Sequence, residues 1–242
     1  MFENIFLSEI PKWFSLLFLI AFIFPPILVA LVIKKGAENS VYKTKANTIF
    51  ITLLAISFVY LILVAIGSIN GLFEKVTFPP KILWFTMFPM LAILFGLVLN
   101  SKNFKVILDG IPLHNLVRVH IFRLIGSTFL VLYFLNQLPK VIGMVAGIGD
   151  VITAITCLFV AYLIKHRKPN YKKITWFWNT FGFVDIIATS ALALILTRLQ
   201  IVNGSQGVEA LAAFPFCFIP AFAPAIIMFL HICIYKKLKA IS

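Results

Sequence analysis

The residues of this chain best suited to chemistry are one arginine and two aspartates, each inside an otherwise apolar segment. They are Arg123, Asp150 and Asp185. A charged side chain at the centre of a bilayer costs at least about 2.5–3.5 kcal/mol. Clustering lowers this cost, because a guanidinium forms strong charge-assisted hydrogen bonds with carboxylates. We therefore expect the three side chains to meet inside the protein, with Asn179 beside them.

The charges of such a cluster do not balance. One arginine and two aspartates leave an excess of one negative charge, so we expect one aspartate to be protonated or to bind a cation. This pattern suits a transporter-like pathway for a proton or a small solute. The alternative is a structural or accessory protein in which the polar core only fixes how the helices pack.

The composition assigns the chain to the membrane. Of its 242 residues, 62% are hydrophobic and 12% are charged, whereas a soluble domain has about 25% charged residues. The formal net charge of +13 does not predict a nucleic-acid partner, because the basic residues lie in short clusters between apolar segments. The partner predicted by this pattern is the lipid bilayer.

Seven apolar runs are each long enough to cross a membrane, which takes about 20 residues. They predict an all-α, single-domain bundle over residues 1–242, with helices near 13–33, 47–69, 82–99, 116–136, 141–164, 174–197 and 211–235. The connections on one side of this bundle hold 15 basic residues and those on the other side hold 5. Because basic loops stay in the cytoplasm, the N-terminus is predicted outside and the C-terminus inside.

The last predicted helix contains three prolines, Pro215, Pro220 and Pro224. Proline removes a backbone donor and bends or unwinds a helix. Broken helices line the cavities of many transporters, so the three prolines are candidate hinge residues. A bend that serves only packing is the alternative.

The stretch Gly147–Asp150 reads Gly-Ile-Gly-Asp and resembles the GxGD signature of presenilin-type and prepilin-type intramembrane proteases. Two aspartates that share a proton could activate water for peptide hydrolysis. The chain departs from that pattern, because the GxGD aspartate precedes its partner Asp185. In addition, Val184 stands where those proteases have tyrosine, and Ile226 follows Pro224-Ala225 in place of leucine. An aspartyl protease is therefore the third hypothesis for function.

Two histidines, His120 and His231, lie at similar distances from the cytoplasmic ends of their predicted helices. Paired histidines on different helices could ligate haem. A lone histidine near a helix end more often forms hydrogen bonds, so no cofactor is expected. Three scattered cysteines without CxxC spacing predict neither a disulfide nor a metal site.

A series of motifs runs from Ile111 to Tyr235: Arg123 with Gly126 and Phe129, Leu138-Pro139, Ala146-Gly147-Ile148-Gly149-Asp150, Trp178-Asn179 with Gly182 and Asp185, Ile219-Pro220, and His231. This series resembles a widespread family of uncharacterised seven-helix bacterial membrane proteins. The resemblance implies the seven-helix fold and the polar core, and it brings no established activity. We therefore expect a multi-pass protein of a bacterial cytoplasmic membrane.

Overall fold

The computed structural model describes residues 5–241, and no strand occurs within that range. The chain folds into helices that we number in order: α1 (Lys12–Glu38), α2 (Lys43–Ile69), α3 (Leu83–Val98), α4 (Lys102–Gly110), α5 (Leu113–Phe134), α6 (Lys140–Lys165), α7 (Tyr171–Asn203) and α8 (Phe218–Ala240). The all-α prediction is confirmed.

Six helices, α1, α2 and α5 to α8, are long and apolar enough to cross a membrane. The short helices α3 and α4 pass the same test only as a pair, and they meet at an angle of 88°. Within residues 5–241 the structure therefore has six candidate spans, or seven if this bent pair forms one. The predicted multi-pass membrane protein agrees with these helices, and the count of seven stays a prediction.

One end of the bundle, which we call the cavity end, brings together the last turns of α2, α5 and α7 and the approach to α8. Ser68, near the end of α2, donates a hydrogen bond to the carbonyl of Ala212 over 2.8 Å. Gln206, after α7, donates to the carbonyl of Asn136, after α5, over 2.8 Å. These contacts connect the ends of helices that are distant in sequence.

The opposite end, which we call the basic end, brings the ends of α1, α4 and α8 together. Asn39, after α1, donates to the carbonyl of Gly110 over 2.9 Å. Lys237 of α8 donates to the carbonyl of Asp109 over 2.8 Å. Lys172, at the start of α7, donates to the carbonyl of Ile241. The lysine-rich connections of the sequence therefore lie at one end of the molecule.

Helix α8 begins at Phe218, seven residues later than the predicted start at 211. Pro215 accounts for the difference, because the residue before a proline is pushed out of helical geometry. Pro215 thus lies outside the helix, among turns. Pro220 occupies the first turn of α8, where its missing N–H group has no helical partner to lose. Pro224 is the proline inside α8.

Several helices contain irregular turns. Helix α1 is interrupted at Ile23, just before Pro25 and Pro26. Helix α3 consists largely of wide π-type turns at Leu83–Met87 and Ala92–Val98. Helix α5 tightens into a 3₁₀ stretch over Val119–Gly126. The 3₁₀ stretch of α5 contains Arg123 and therefore positions the candidate site.

Candidate functional site

Arg123 lies in the 3₁₀ stretch at the middle of α5. A 3₁₀ helix has about 3.0 residues per turn, so residues three apart are aligned on one edge. His120, Arg123 and Gly126 share such an edge, and all three are buried. The local geometry therefore directs one row of side chains into the bundle interior.

The guanidinium of Arg123 binds both aspartates. Its Nε–H group donates to Oδ1 of Asp150 on α6 over 2.6 Å, and Nη2 donates to Oδ2 of Asp185 on α7 over 2.5 Å. The side chain of Arg123 is 0% exposed, and those of Asp150 and Asp185 are 10% and 9% exposed. The structure thus brings together the three charged residues that the sequence singled out. We call this group the Arg–Asp–Asp centre.

The remaining contacts of the guanidinium reach α7 and α8. Nη1 donates to the carbonyl of Gly182 over 3.1 Å and lies 3.3 Å from Nε2 of His231. Arginine has no acceptor, so Nε2 of His231 must accept this hydrogen bond. We therefore assign a neutral His231 that carries its proton on Nδ1.

Asn179 supports this arrangement through His231 and not through the arginine. Nδ1 of His231 lies 2.8 Å from Oδ1 of Asn179, and the assigned tautomer makes the histidine the donor. Nδ2 of Asn179 in turn donates to the carbonyl of His231 over 3.1 Å. Asn179 thus orients the histidine that faces Arg123, which is one step further from the charges than we predicted.

Three glycines leave the space that these side chains occupy. A Cβ atom on Gly126 would overlap the side chain of Asp150, and one on Gly149 would overlap that of Asp185. A Cβ atom on Gly182 would lie 2.8 Å from Cε1 of His231. Any larger residue at these positions would displace Asp150, Asp185 or His231.

His120 is fully buried, and neither of its ring nitrogens has a hydrogen-bond partner within residues 5–241. Its ring packs against those of His231, at 4.3 Å between centroids, and Trp178, at 5.3 Å. Both nitrogens of His231 are already engaged, by Arg123 and Asn179. Two rings in direct contact leave no room for a macrocycle between them, so this geometry does not fit haem ligation.

A small cavity of about 20 Å³ borders Arg123 and Asp150. Its other walls are mainly apolar side chains of α1, α5 and α8, among them Phe22, Phe129 and Phe222. A water molecule needs about 10–15 Å³ of such space. The cavity therefore has room for one water beside the Arg–Asp–Asp centre.

A larger cavity of about 510 Å³ lies at the cavity end and extends to Ala193 of α7. Neither Arg123 nor either aspartate is among its lining residues. At 1.5 Å per residue, about 12 Å of helix separates Ala193 from Asp185. In this conformation, the larger cavity stops short of the charges.

The model of a protein family described as a domain of unknown function, DUF8737, matches residues 79–239. This match covers more than half of the chain. The chain belongs to the DUF8737 family. The whole Arg–Asp–Asp centre lies inside the matched DUF8737 segment, as do His120 and His231. The comparisons with curated proteins and with solved structures found no match.

The geometry of this DUF8737 protein bears on the protease hypothesis. A catalytic pair of aspartates holds a proton between its two carboxyl groups. Here Asp150 and Asp185 both accept hydrogen bonds from the guanidinium of Arg123. The arrangement is that of an ion-paired centre. The second carboxylate oxygens, Oδ2 of Asp150 and Oδ1 of Asp185, lie against Gly126 and Gly149, and either carboxylate could accept a proton there.

Proposed function

We propose that this integral membrane protein provides a pathway for a proton or a small solute, with the Arg–Asp–Asp centre as its proton-binding part. The observation that carries the proposal is a single buried guanidinium shared by two carboxylates. An uncompensated charge in a low-dielectric interior is strongly unfavourable. Binding one proton at Asp150 or Asp185 removes the excess negative charge.

Proton binding would also change how the helices are held together. Arg123 of α5 connects Asp150 of α6 with Asp185 of α7. Protonation of a carboxylate removes the charge–charge attraction between it and the guanidinium and leaves only a hydrogen bond to a neutral acceptor. Protonation of one aspartate therefore loosens its helix from α5 and leaves the other helix bound. Neutral His231, which accepts a hydrogen bond from Arg123, adds no opposing charge.

The carboxyl stretching band in infrared spectra tests this proton binding directly. Protein in lipid vesicles should show a protonated carboxyl band that changes with pH and that is lost in Asp150→Asn or Asp185→Asn. Asp109→Asn, at the basic end, is the matched control and should keep the band. Proton uptake driven by a potassium diffusion potential should show the same pattern among the variants. A band and an uptake rate that neither core substitution changes would exclude the proposal.

A purely structural role is the second candidate, and one observation favours it. The guanidinium of Arg123 is held by two carboxylates, the carbonyl of Gly182 and His231, and the large cavity does not reach it. In that case, replacing Arg123 by leucine together with both aspartates by asparagine should leave proton uptake equal to that of wild type. The proton-pathway hypothesis expects the triple variant to lose uptake.

We further propose seven crossings, with the N-terminus outside a bacterial cytoplasmic membrane. Leu7 lines the cavity end, whereas Ile241 accepts a hydrogen bond at the basic end. Chain ends on opposite sides favour an odd number of crossings, with α3 and α4 forming one of them. The concentration of basic residues at the end that includes Ile241 supports a cytoplasmic C-terminus. The bacterial location rests on the motif series that runs from Arg123 to His231.

Cysteine labelling tests this topology. Cysteines introduced at Glu74 and Ser205, in connections at the cavity end, should react with an impermeant maleimide added to intact cells. A cysteine introduced at Asn170, in the basic connection before α7, should react only after the membrane is opened. The three native cysteines are buried and should give little background. Labelling of the Asn170 site in intact cells would reverse the orientation.

A further inference from the structure

The 510 Å³ cavity at the cavity end is separate from the Arg–Asp–Asp centre. Small-molecule sites in proteins occupy about 300–1,000 Å³, so its size suits a ligand. It forms where the connections after α2 and α7 cover the ends of the bundle. The cavity has no signature in the sequence, because its walls come from segments far apart in the chain.

The walls of this cavity combine apolar and polar surface. Its apolar wall includes buried Phe73, Ile82 and Leu211. Half-buried Lys81 and Gln200 contribute polar groups between the apolar side chains. A ligand that fits both surfaces has an apolar body and polar ends.

Charges of both signs line the cavity and are free to bind a ligand. Lys75 and Lys81 supply ammonium groups, and Glu74 and Glu209 supply carboxylates. None of the four takes part in a salt bridge within residues 5–241. A half-buried ammonium group without a carboxylate partner favours an anionic group of a ligand. Glu74 and Glu209, which are both exposed, favour a cationic group on the same molecule.

We propose that this cavity binds a small zwitterionic solute with an apolar side chain, of the amino-acid or dipeptide class. Lys81 binds the carboxylate of the solute, and Glu74 or Glu209 binds its ammonium group. A solute of one sign would meet repulsion from the lining residues of that sign. Binding of this solute does not depend on the proposed proton pathway. Transport of the solute across the membrane would rest on that pathway.

The first turns of α8 separate this site from the Arg–Asp–Asp centre. Pro220 lines the large cavity, whereas Ile219 and Ala223 line the small cavity beside Asp150. One helical segment therefore has the proposed solute site on one face and the charge centre on another.

Equilibrium binding of leucyl-phenylalanine to the purified full-length protein in nanodiscs tests the proposal. The zwitterionic dipeptide should bind saturably. Its N-acetylated form, which is anionic, and its amidated form, which is cationic, should each bind at least about tenfold more weakly, a difference of about 1.4 kcal/mol.

Two variants locate the binding site. Lys81→Gln should weaken binding of the dipeptide at least about tenfold, the same difference of about 1.4 kcal/mol, and should remove its advantage over the amidated form. Ala193→Trp, which fills the cavity, should abolish binding. Lys140→Gln is the matched control, since Lys140 is a lysine of the same end that does not line the cavity. Lys140→Gln should bind the dipeptide with the same affinity as wild type.

Three results would overturn the proposal: no saturable binding of any of the three peptides, equal binding of all three, or unchanged affinity in both Lys81→Gln and Ala193→Trp. Lys81→Gln changes a half-buried side chain, so it keeps the test decisive if Ala193→Trp does not fold. The binding measurement needs no ion gradient. A failure to bind peptide therefore leaves the proton-uptake results unaffected, and a lack of proton uptake leaves the binding result unaffected.

Discussion

Replacing Arg123 by leucine tests the Arg–Asp–Asp centre most directly. Leucine is apolar and fits a bilayer interior, so the substitution removes the charge without introducing a new one. Asp150 and Asp185 would then lose their shared donor, and the carbonyl of Gly182 and Nε2 of His231 would lose theirs. Two carboxylates would remain near each other in the interior with no cation between them.

The expected loss of stability follows from the number of groups that are paired with Arg123. Breaking one partner of a buried ion pair destabilises a protein by about 3–5 kcal/mol. Since Arg123 is paired with two carboxylates, we expect a loss of stability in the upper part of this range. With about 2–4 °C per kcal/mol for a chain of this size, a loss of about 5 kcal/mol lowers the midpoint of thermal unfolding by about 10–20 °C.

A thiol-reactive fluorescent dye can follow this unfolding in detergent, because all three native cysteines are buried. Asp150→Asn or Asp185→Asn alone should cost much less, since each leaves one guanidinium paired with one carboxylate. Adding both asparagines to Arg123→Leu should recover most of the lost stability, because no buried charge then remains. If Arg123→Leu unfolds within a degree or two of wild type, the ion-pair geometry described above is refuted.

Three further predictions follow from the same geometry. Gly149→Ala should destabilise the protein by about 1–3 kcal/mol in thermal unfolding, because the added methyl group overpacks the interior. Gly96→Ala is the control and should not destabilise the protein, because a Cβ atom there meets open space. His120→Phe should leave the stability unchanged or raise it by about 1–3 kcal/mol, because it removes two buried nitrogens that have no hydrogen-bond partner within residues 5–241. A large loss of stability would show that His120 has a partner. Purified protein should show no Soret band in its absorption spectrum, because the nitrogens of His231 are engaged; a redox-active band would contradict this.

The apolar runs of the sequence were sufficient to predict α3 and the six longer helices, because a membrane span is set by its length and hydrophobicity. The short helix α4 was not among the predicted helices. The boundaries were less accurate wherever proline decided them. Hydrophobicity continues from 211 into α8, yet Pro215 delays the helix to Phe218. The 88° bend between α3 and α4 was also not predicted. Ser101 caps the start of α4, since its hydroxyl accepts a hydrogen bond from the N–H group of Phe104, but the angle itself depends on packing against α1 and α8.

The charged members of the site could be predicted from one physical argument, the cost of a charge inside a membrane. That argument gives no distances, so it left open which aspartate pairs with Arg123, and the structure shows that both do. The link from Arg123 to His231 was missed, because histidines are tolerated in many environments. The space-making roles of Gly126 and Gly149 were missed as well, since they depend on which side chain of a neighbouring helix faces each glycine.

The 3₁₀ stretch of α5 explains how one arginine reaches two helices, and it gives the proposed pathway a way to open. It extends over 8 residues. A 3₁₀ helix rises about 2.0 Å per residue and an α-helix about 1.5 Å, so a change of this stretch to α-helix would shorten it by about 4 Å. A shift of that size would also rotate Arg123 relative to His120 and Gly126, because residues three apart no longer align. Such a change would therefore alter the distances from Arg123 to both aspartates, which are 2.6 Å and 2.5 Å in this structure. Under the proposed proton binding, protonation of one aspartate would remove one of the two ion pairs that fix the position of Arg123 in this stretch.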